Sequence, residues 1–162
     1  RMANIDAAGS GEKQSLVDVD LASLAQSVTA EYVPVAADAG IDLGFEQMEA
    51  VSIGAEPLLL GELLGNLISN AIAYAGRGAE VTVRVGRENG LAFLLVEDNG
   101  PGISEEKRDV VRQRFARGDG NTAPGAGLGL AIVEEIATLF NGRLALEEGA
   151  SGRGLKAIVR FS

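Results

Sequence analysis

Cysteine, histidine and tryptophan are absent from this 162-residue sequence, and aromatic residues of any kind make up 4% of it. Without cysteine there are no disulfides and no thiolate metal sites. Without histidine, Ser-His-Asp catalysis, imidazole base chemistry and histidine-bound zinc all fall away within the chain. Any phosphohistidine chemistry would need a histidine on another segment or protein. The shortage of aromatics leaves the core to leucine, isoleucine, valine and alanine. Basic residues are outnumbered 14 to 23, for a net charge of −9. So acidic a surface is a poor match for DNA or RNA, and no nucleic-acid partner is expected. No apolar run reaches the ~20 residues that span a bilayer, and no signal peptide is visible at the start.

What is present fits one globular domain with a sizeable core: 46% of residues are hydrophobic and 23% charged, a balance unlike that of disordered chains. Positive charge is unevenly spread. Lys107, Arg108, Arg112, Arg114 and Arg117 gather in one short stretch that could serve an anionic ligand. The first residues, Arg1 to Asp6, read as the tail of a helix and Ala7 to Gly11 as a linker, as if the domain were cut from a larger protein.

Periodicity divides the rest. Asp18-Val19-Asp20 looks extended, and Asp20 is placed to cap a helix from about Leu21 to Ala39, kinked at Pro34 and stopped by Gly40. Ile41 to Phe45 alternates like a half-buried strand, with Ala50 to Ile53 as its expected hairpin partner. Glu56-Pro57 opens a long helix to about Tyr74, ended by Gly76 and Gly78. Val81 to Val85 alternates, Asn89-Gly90 is a strong hairpin turn, and Leu91 to Val96 is apolar enough to be central in a sheet. A short helix is expected from Ser104, a polar, mobile stretch over Gly118 to Pro124, a third long helix over Leu128 to Phe140, and a closing strand pair over Arg143 to Glu148 and Leu155 to Phe161. The expected fold is α/β: a two-layer sandwich whose mixed, largely antiparallel sheet of about five or more strands is covered on one face by three main helices.

Three segments carry candidate chemistry. On the second helix, steps of four keep Glu62, Asn66 and Asn70 on one stripe, while Leu60, Leu64, Leu67 and Ala71 fall roughly opposite. Taken alone this could be a solvated face, but asparagine is a mediocre helix former, and amide oxygens are good hard ligands for Mg²⁺. After the apolar strand comes Asp98-Asn99-Gly100-Pro101-Gly102-Ile103, either an ordinary turn or a carboxylate facing a pocket, able to accept a hydrogen bond from an exocyclic amine. Gly125-Ala126-Gly127-Leu128-Gly129 opens the third helix, where free N–H groups and the helix dipole favour phosphate; otherwise it is a flexible linker. It matches neither a Walker loop nor a Rossmann fingerprint. Arg114 and Arg117, flanking Phe115, suit bidentate phosphate contact or plain solvation.

Together and in this order, Glu62 to Tyr74, Asp98 to Gly102, Arg114 to Gly118 and Gly125 to Leu130 resemble the ATP-binding catalytic domain of sensor histidine kinases, within the superfamily that includes DNA gyrase, the Hsp90 chaperones and MutL. The resemblance runs from about Leu21 to Phe161 and implies a Bergerat-type ATP-binding fold. It implies ATP and Mg²⁺ as cofactors, Asn70 as the metal ligand, Asn66 beside the phosphates, and Asp98 as the adenine reader. Gly100, Gly102 and Ile103 would form that wall, and Tyr74 would line the nucleotide pocket. Gly125, Gly127, Leu128, Gly129 and Leu130 would meet the phosphates at the helix start. Arg114 and Arg117 would approach the γ-phosphate, making them, with Asn66, the catalytic candidates, and residues 117–124 would be the ATP lid.

The same resemblance makes residues 1–15 the tail of a dimerisation helix and its linker, and 16–162 the catalytic domain. The implied partners are the protein's own dimerisation and histidine phosphotransfer domain and a response-regulator receiver domain. The parent protein is expected to be a homodimer attached to the cell membrane, with this domain cytoplasmic and monomeric in isolation. Two positions depart from the family: Ala73 replaces the usual Lys or Arg before the pocket tyrosine, and Arg112 stands where a first phenylalanine is common. Glu62, where gyrase-like ATPases keep a general base, receives no firm role. The alternatives are a serine kinase of the anti-sigma-factor type, a gyrase-like ATPase and a non-catalytic nucleotide-sensing module.

Overall fold

A computed structural model describes residues 16–100, 126–149 and 154–162. Along the chain these form β1 (Val17–Asp20), α1 (Leu21–Asp38), β2 (Asp42–Gln47), β3 (Ser52–Ala55), α2 (Pro57–Ala75), β4 (Glu80–Glu88), β5 (Leu91–Asp98), α3 (Ala126–Leu139), β6 (Gly142–Glu148) and β7 (Leu155–Phe161). The short helix expected from Ser104 and the helix tail expected in residues 1–15 lie outside the described residues.

Local chemistry sets the helix ends. The Asp20 carboxylate accepts from the N–H groups of Ala22 (3.0 Å) and Ser23 (3.3 Å), occupying two of the free donors at the start of α1. At the other end the Gly40 N–H reaches Ala37 O (3.0 Å) and the Ile41 N–H reaches Ala36 O (2.8 Å), closing the last turn as expected of a glycine stop. α1 runs through Pro34, on a face where Val33, Pro34 and Val35 are all exposed. Water there can satisfy the carbonyl that proline leaves without a donor. For α2, Pro57 occupies the first turn, where its missing N–H costs nothing, and the Glu56 side chain accepts from Leu59 N at 3.0 Å.

Five strands form one sheet in the order β2-β4-β5-β7-β6, in which only β2–β4 is parallel. The apolar β5 is central, as its composition predicts. Asn89 (φ 53°) and Gly90 (φ 82°) turn β4 into β5 through two left-handed residues, the geometry of the favoured two-residue hairpin. One face of the sheet carries Val81, Val83 and Val85, Ala92, Leu94 and Val96, and Val159 and Phe161. These merge with Leu60, Leu64 and Leu67 of α2 and Val133 and Ile136 of α3 into one core. Leu60 and Leu64 are 0% exposed, and burying each such side chain contributes about 1.5–3 kcal/mol.

One expectation fails. β2 and β3 are not a hairpin: β2 pairs in parallel with β4, from Asp42↔Glu80 to Gln47↔Val85, while β3 pairs antiparallel with β1 in a separate two-stranded sheet. Alternation specifies which side chains face inward, not which neighbour supplies the backbone partner. No two-residue turn signal of the Asn89-Gly90 kind links β2 to β3. Instead Val51 O accepts the Leu21 N–H at 3.0 Å, drawing that segment toward α1. The parallel β2–β4 pair is possible because α2 lies between them in sequence as a long crossover.

Candidate functional site

Two elements built for packing also carry the polar groups. α2 buries Leu60, Leu63, Leu64, Leu67, Ile68 and Ala71, so its register against the sheet is strongly specified, and Asn70 is carried to the rim of the core. β5 ends at Asp98, the next inward-facing position after Val96. The two meet at one cavity. Its α2 wall is Leu67, Asn70, Ala71 and Tyr74; its sheet wall is Val96, Asp98, Leu146, Leu155 and Ala157; Leu130 of α3 completes it. It is an apolar slot with one carboxyl and one amide among the described residues.

Asp98 is 5% exposed. Burial pushes its carboxyl above the ordinary carboxylate range; N–H donation from Gly100 and Leu155 opposes the rise, and the neighbouring Glu97 charge adds to it. The Gly100 N–H sits 2.9 Å from Oδ1. These donors use about two of the roughly four acceptor positions of a carboxylate. Asn99 pins the turn to β4: its Oδ1 accepts from Glu80 N at 2.7 Å, and its N–H donates to Glu80 O at 3.2 Å. Gly100 is a glycine for a tertiary reason. A Cβ there would overlap the Ala75 carbonyl oxygen and lie 2.9 Å from its carbon, so the turn packs on the last residue of α2.

The side-chain Nδ2 of Asn70 is buried and has no hydrogen-bond partner among the described residues. Such an orphan costs about 1–3 kcal/mol and is uncommon in native interiors. Amide nitrogen and oxygen are interchangeable by rotation, so the same position can present a ligand oxygen. The half-buried Tyr74 hydroxyl titrates above its usual range, because burial disfavours the phenolate. Among the described residues no cluster of three or more Asp, Glu, His or Cys could hold a metal ion.

Of the residues singled out in the sequence, Asn70, Tyr74, Asp98 and Leu130 line this one cavity. Asn66 is half-buried one turn earlier and is not among the lining residues. Glu62, two turns from Asn70 and so about 12 Å along the axis, does not line it either. Gly127, Leu128 and Gly129 lie in the first turn of α3, directly before Leu130. Gly102, Ile103, Arg112, Arg114, Arg117 and Gly125 lie outside the described residues. Leu155, Ala157, Val96 and Leu146 also line the cavity; each is an ordinary inward strand residue, with no signal in the sequence distinguishing it from core.

An amide-bearing helix, a buried carboxyl at a strand end and a third helix starting beside them define a class of ATPase fold. Residues 55–162 match the family described as histidine kinase-, DNA gyrase B- and HSP90-like ATPase, and the chain belongs to that family. Within it the similarity runs to sensor kinases. The sensor protein kinase PmrB of Pseudomonas aeruginosa is 38% identical over 142 residues, covering 87% of this chain and 30% of that protein. The cytoplasmic segment of histidine kinase QseC superposes with a TM-score of 0.68 at 26% identity, over 92% of this chain and 79% of that one. The catalytic domain of histidine kinase ThkA has the same fold, with a TM-score of 0.78 at 22% identity over 90% and 94% of the two chains. The chain thus spans about a third of the length of the curated relatives it matches. These relatives disfavour the serine-kinase and gyrase-like alternatives, and the family makes this an ATP-binding domain.

Proposed function

We propose that this chain is the catalytic domain of a two-component sensor histidine kinase, handing the γ-phosphoryl group of ATP to a histidine on a separate dimerisation domain. The observation that carries the proposal is the convergence of the Asn70 amide and the Asp98 carboxyl on one apolar slot between α2 and the sheet. In this reading a flat purine lies between Leu67 and Ala71 on one side and Val96 and Ala157 on the other. Its exocyclic amine donates to the remaining acceptor edge of Asp98, Tyr74 flanks it, and Gly100, Gly102 and Ile103 form the adjoining wall. The phosphates then run toward Asn66 and the first turn of α3, where Gly125, Gly127, Leu128, Gly129 and Leu130 bring N–H groups and the positive end of the helix dipole. Arg114 and Arg117 reach the γ-phosphate.

The buried, unpartnered amide of Asn70 fits a Mg²⁺ site in which most ligands come from phosphate and water. Mg²⁺, when bound, supplies neutralisation of charge on the bridging and terminal phosphate oxygens. The chain's own residues hold and orient the nucleotide and exclude water from the purine. The acceptor imidazole nitrogen forms its bond to phosphorus as the bond from γ-phosphorus to the ADP oxygen breaks. The sequence contains no histidine, so the acceptor must come from outside these 162 residues. In this reading residues 1–15 are the tail of the dimerisation helix and its linker. The parent protein is a membrane-attached homodimer, this domain lies on its cytoplasmic side, and the phosphoryl group passes on to an aspartate of a response-regulator receiver domain.

The test uses this domain and a longer protein that includes the dimerisation domain. The domain alone should bind ADP and release no phosphate from ATP. The longer protein incubated with ATP should gain a phosphoryl group that is lost in acid and kept in base. Acid-stable label would indicate a serine acceptor, steady phosphate release by the isolated domain a gyrase-like ATPase, and tight binding without transfer a sensing module.

A further inference from the structure

The start of β7 approaches Asp98 from the side opposite β4. Gly154, the residue before β7, has φ +81°, in the left-handed region that side chains disfavour. Its carbonyl accepts the Gly149 N–H at 3.2 Å. A Cβ on Gly154 would overlap the Asp98 carbonyl oxygen, 2.7 Å from the carbonyl carbon and 3.0 Å from Asn99 Cα. All three are backbone atoms, which cannot swing aside as the end of a side chain can. The backbone N–H of the next residue, Leu155, favours the ionised Asp98 carboxyl, while its side chain lines the cavity. Close backbone approach and the N–H contact are therefore linked: a strand start displaced by even a methyl group withdraws the donor.

We infer that Gly154 is a positioning residue for the ligand-reading carboxyl of Asp98. Its left-handed, side-chain-free backbone seats the Leu155 N–H on that carboxyl, so that Leu155 and Gly100 together hold the group with its free acceptor edge toward the cavity. The inference rests on the nucleotide reading for the identity of the ligand; the holding of the carboxyl is a property of the free domain.

Gly90 supplies the control. It has nearly the same φ, +82°, but an added Cβ there meets nothing within 4 Å. Gly90→Ala and Gly154→Ala thus impose the same left-handed strain, and only the second pushes on Asp98. In the wild-type domain without nucleotide, NMR should show the Leu155 and Gly100 amide protons following the Asp98 carboxyl titration with one common midpoint. In Gly154→Ala the Asp98 midpoint should move up, since an N–H donor that favours the ionised form is lost, and ADP affinity should fall about tenfold or more. Gly90→Ala should leave that midpoint unmoved and change ADP affinity less than twofold. A Leu155 amide that stays flat through the Asp98 titration overturns the inference even if Gly154→Ala fails to fold. So does an unmoved Asp98 midpoint in a folded Gly154→Ala, or an equal loss of ADP affinity in the two variants. If the wild-type domain binds no ADP while the Asp98 midpoint still moves in Gly154→Ala, the nucleotide reading fails and the positioning role stands.

Discussion

Asn70 shows how one residue can be readable in kind but not in consequence. Its place on the Glu62–Asn66–Asn70 stripe follows from helical geometry, yet that stripe splits: only Asn70 lines the cavity, and its Nδ2 is left without a partner among the described residues. If Asn70 supplies an oxygen to Mg²⁺, then Asn70→Ala should reduce the gain in ADP affinity on adding Mg²⁺ while leaving the affinity measured in chelator within about twofold. Calorimetric titrations with and without Mg²⁺ provide the check; equal losses under both conditions would remove the metal-ligand role. Gly154 and Leu155 carry no comparable mark in sequence. A glycine in a glycine-rich connection and a leucine at a strand start look ordinary until the fold lays them against Asp98.

At the scale of elements, caps and turns obey local rules and partners do not. Asp20 caps α1 through two N–H contacts, and Asp20→Ala should destabilise the domain by about 1 kcal/mol. For a domain of this size that is roughly 2–4 °C in melting temperature, measurable by thermal circular dichroism; an unchanged melting temperature would mean the cap carries no net energy. α2 illustrates the opposite case. With 19 residues and a mean hydropathy of 1.3, it is long and apolar enough to cross a membrane by length and composition. Its burial against the sheet, with polar residues kept to one stripe, makes it the central core helix instead. The β2–β4 pairing was likewise unreadable, because backbone hydrogen bonds are chemically alike and the choice between β3 and β4 is made by where α2 packs.

The whole molecule sets the electrostatics. On the sheet face away from the helices Arg84 pairs with Glu46 (2.7 Å) and Glu97 (2.6 Å), and Arg160 bridges toward Glu147 and Glu88. These side chains surround a small apolar patch of Phe93, Leu95 and Ile158, and each such pair is worth at most about 1 kcal/mol. The larger pH effect belongs to Asp98. Its native carboxyl is raised above the unfolded value, so between the two the native state binds more protons and unfolding free energy falls as pH rises. The favourable contribution is complete below the unfolded pKa and lost as pH passes the native one. Asp98→Asn abolishes this slope, so its stability relative to wild type should improve on going from acid to neutral pH. Its ADP affinity should drop by about 1.5–3 kcal/mol, roughly ten- to a hundredfold, because a charge-assisted acceptor is replaced by an amide. Wild-type ADP binding should weaken as acid protonates the same carboxyl. Denaturant titrations and calorimetry across that range check both trends; an Asp98→Asn whose stability relative to wild type falls from acid to neutral pH, or that binds ADP normally, would contradict them.

The sequence alone was enough to determine which of the described segments become helix or strand, where they are capped, that three helices cover one face of a mostly antiparallel sheet, and that Asn70 and Asp98 stand out as candidates for one pocket. Those features depend on period, turn chemistry and residue type, which are local. Strand order, the split of the polar stripe, the reason for glycine at position 100 and the coupling of Gly154 to Asp98 were decided only by tertiary structure. Each depends on which surfaces come into contact across long stretches of chain, and backbone atoms carry no residue label that a sequence could display.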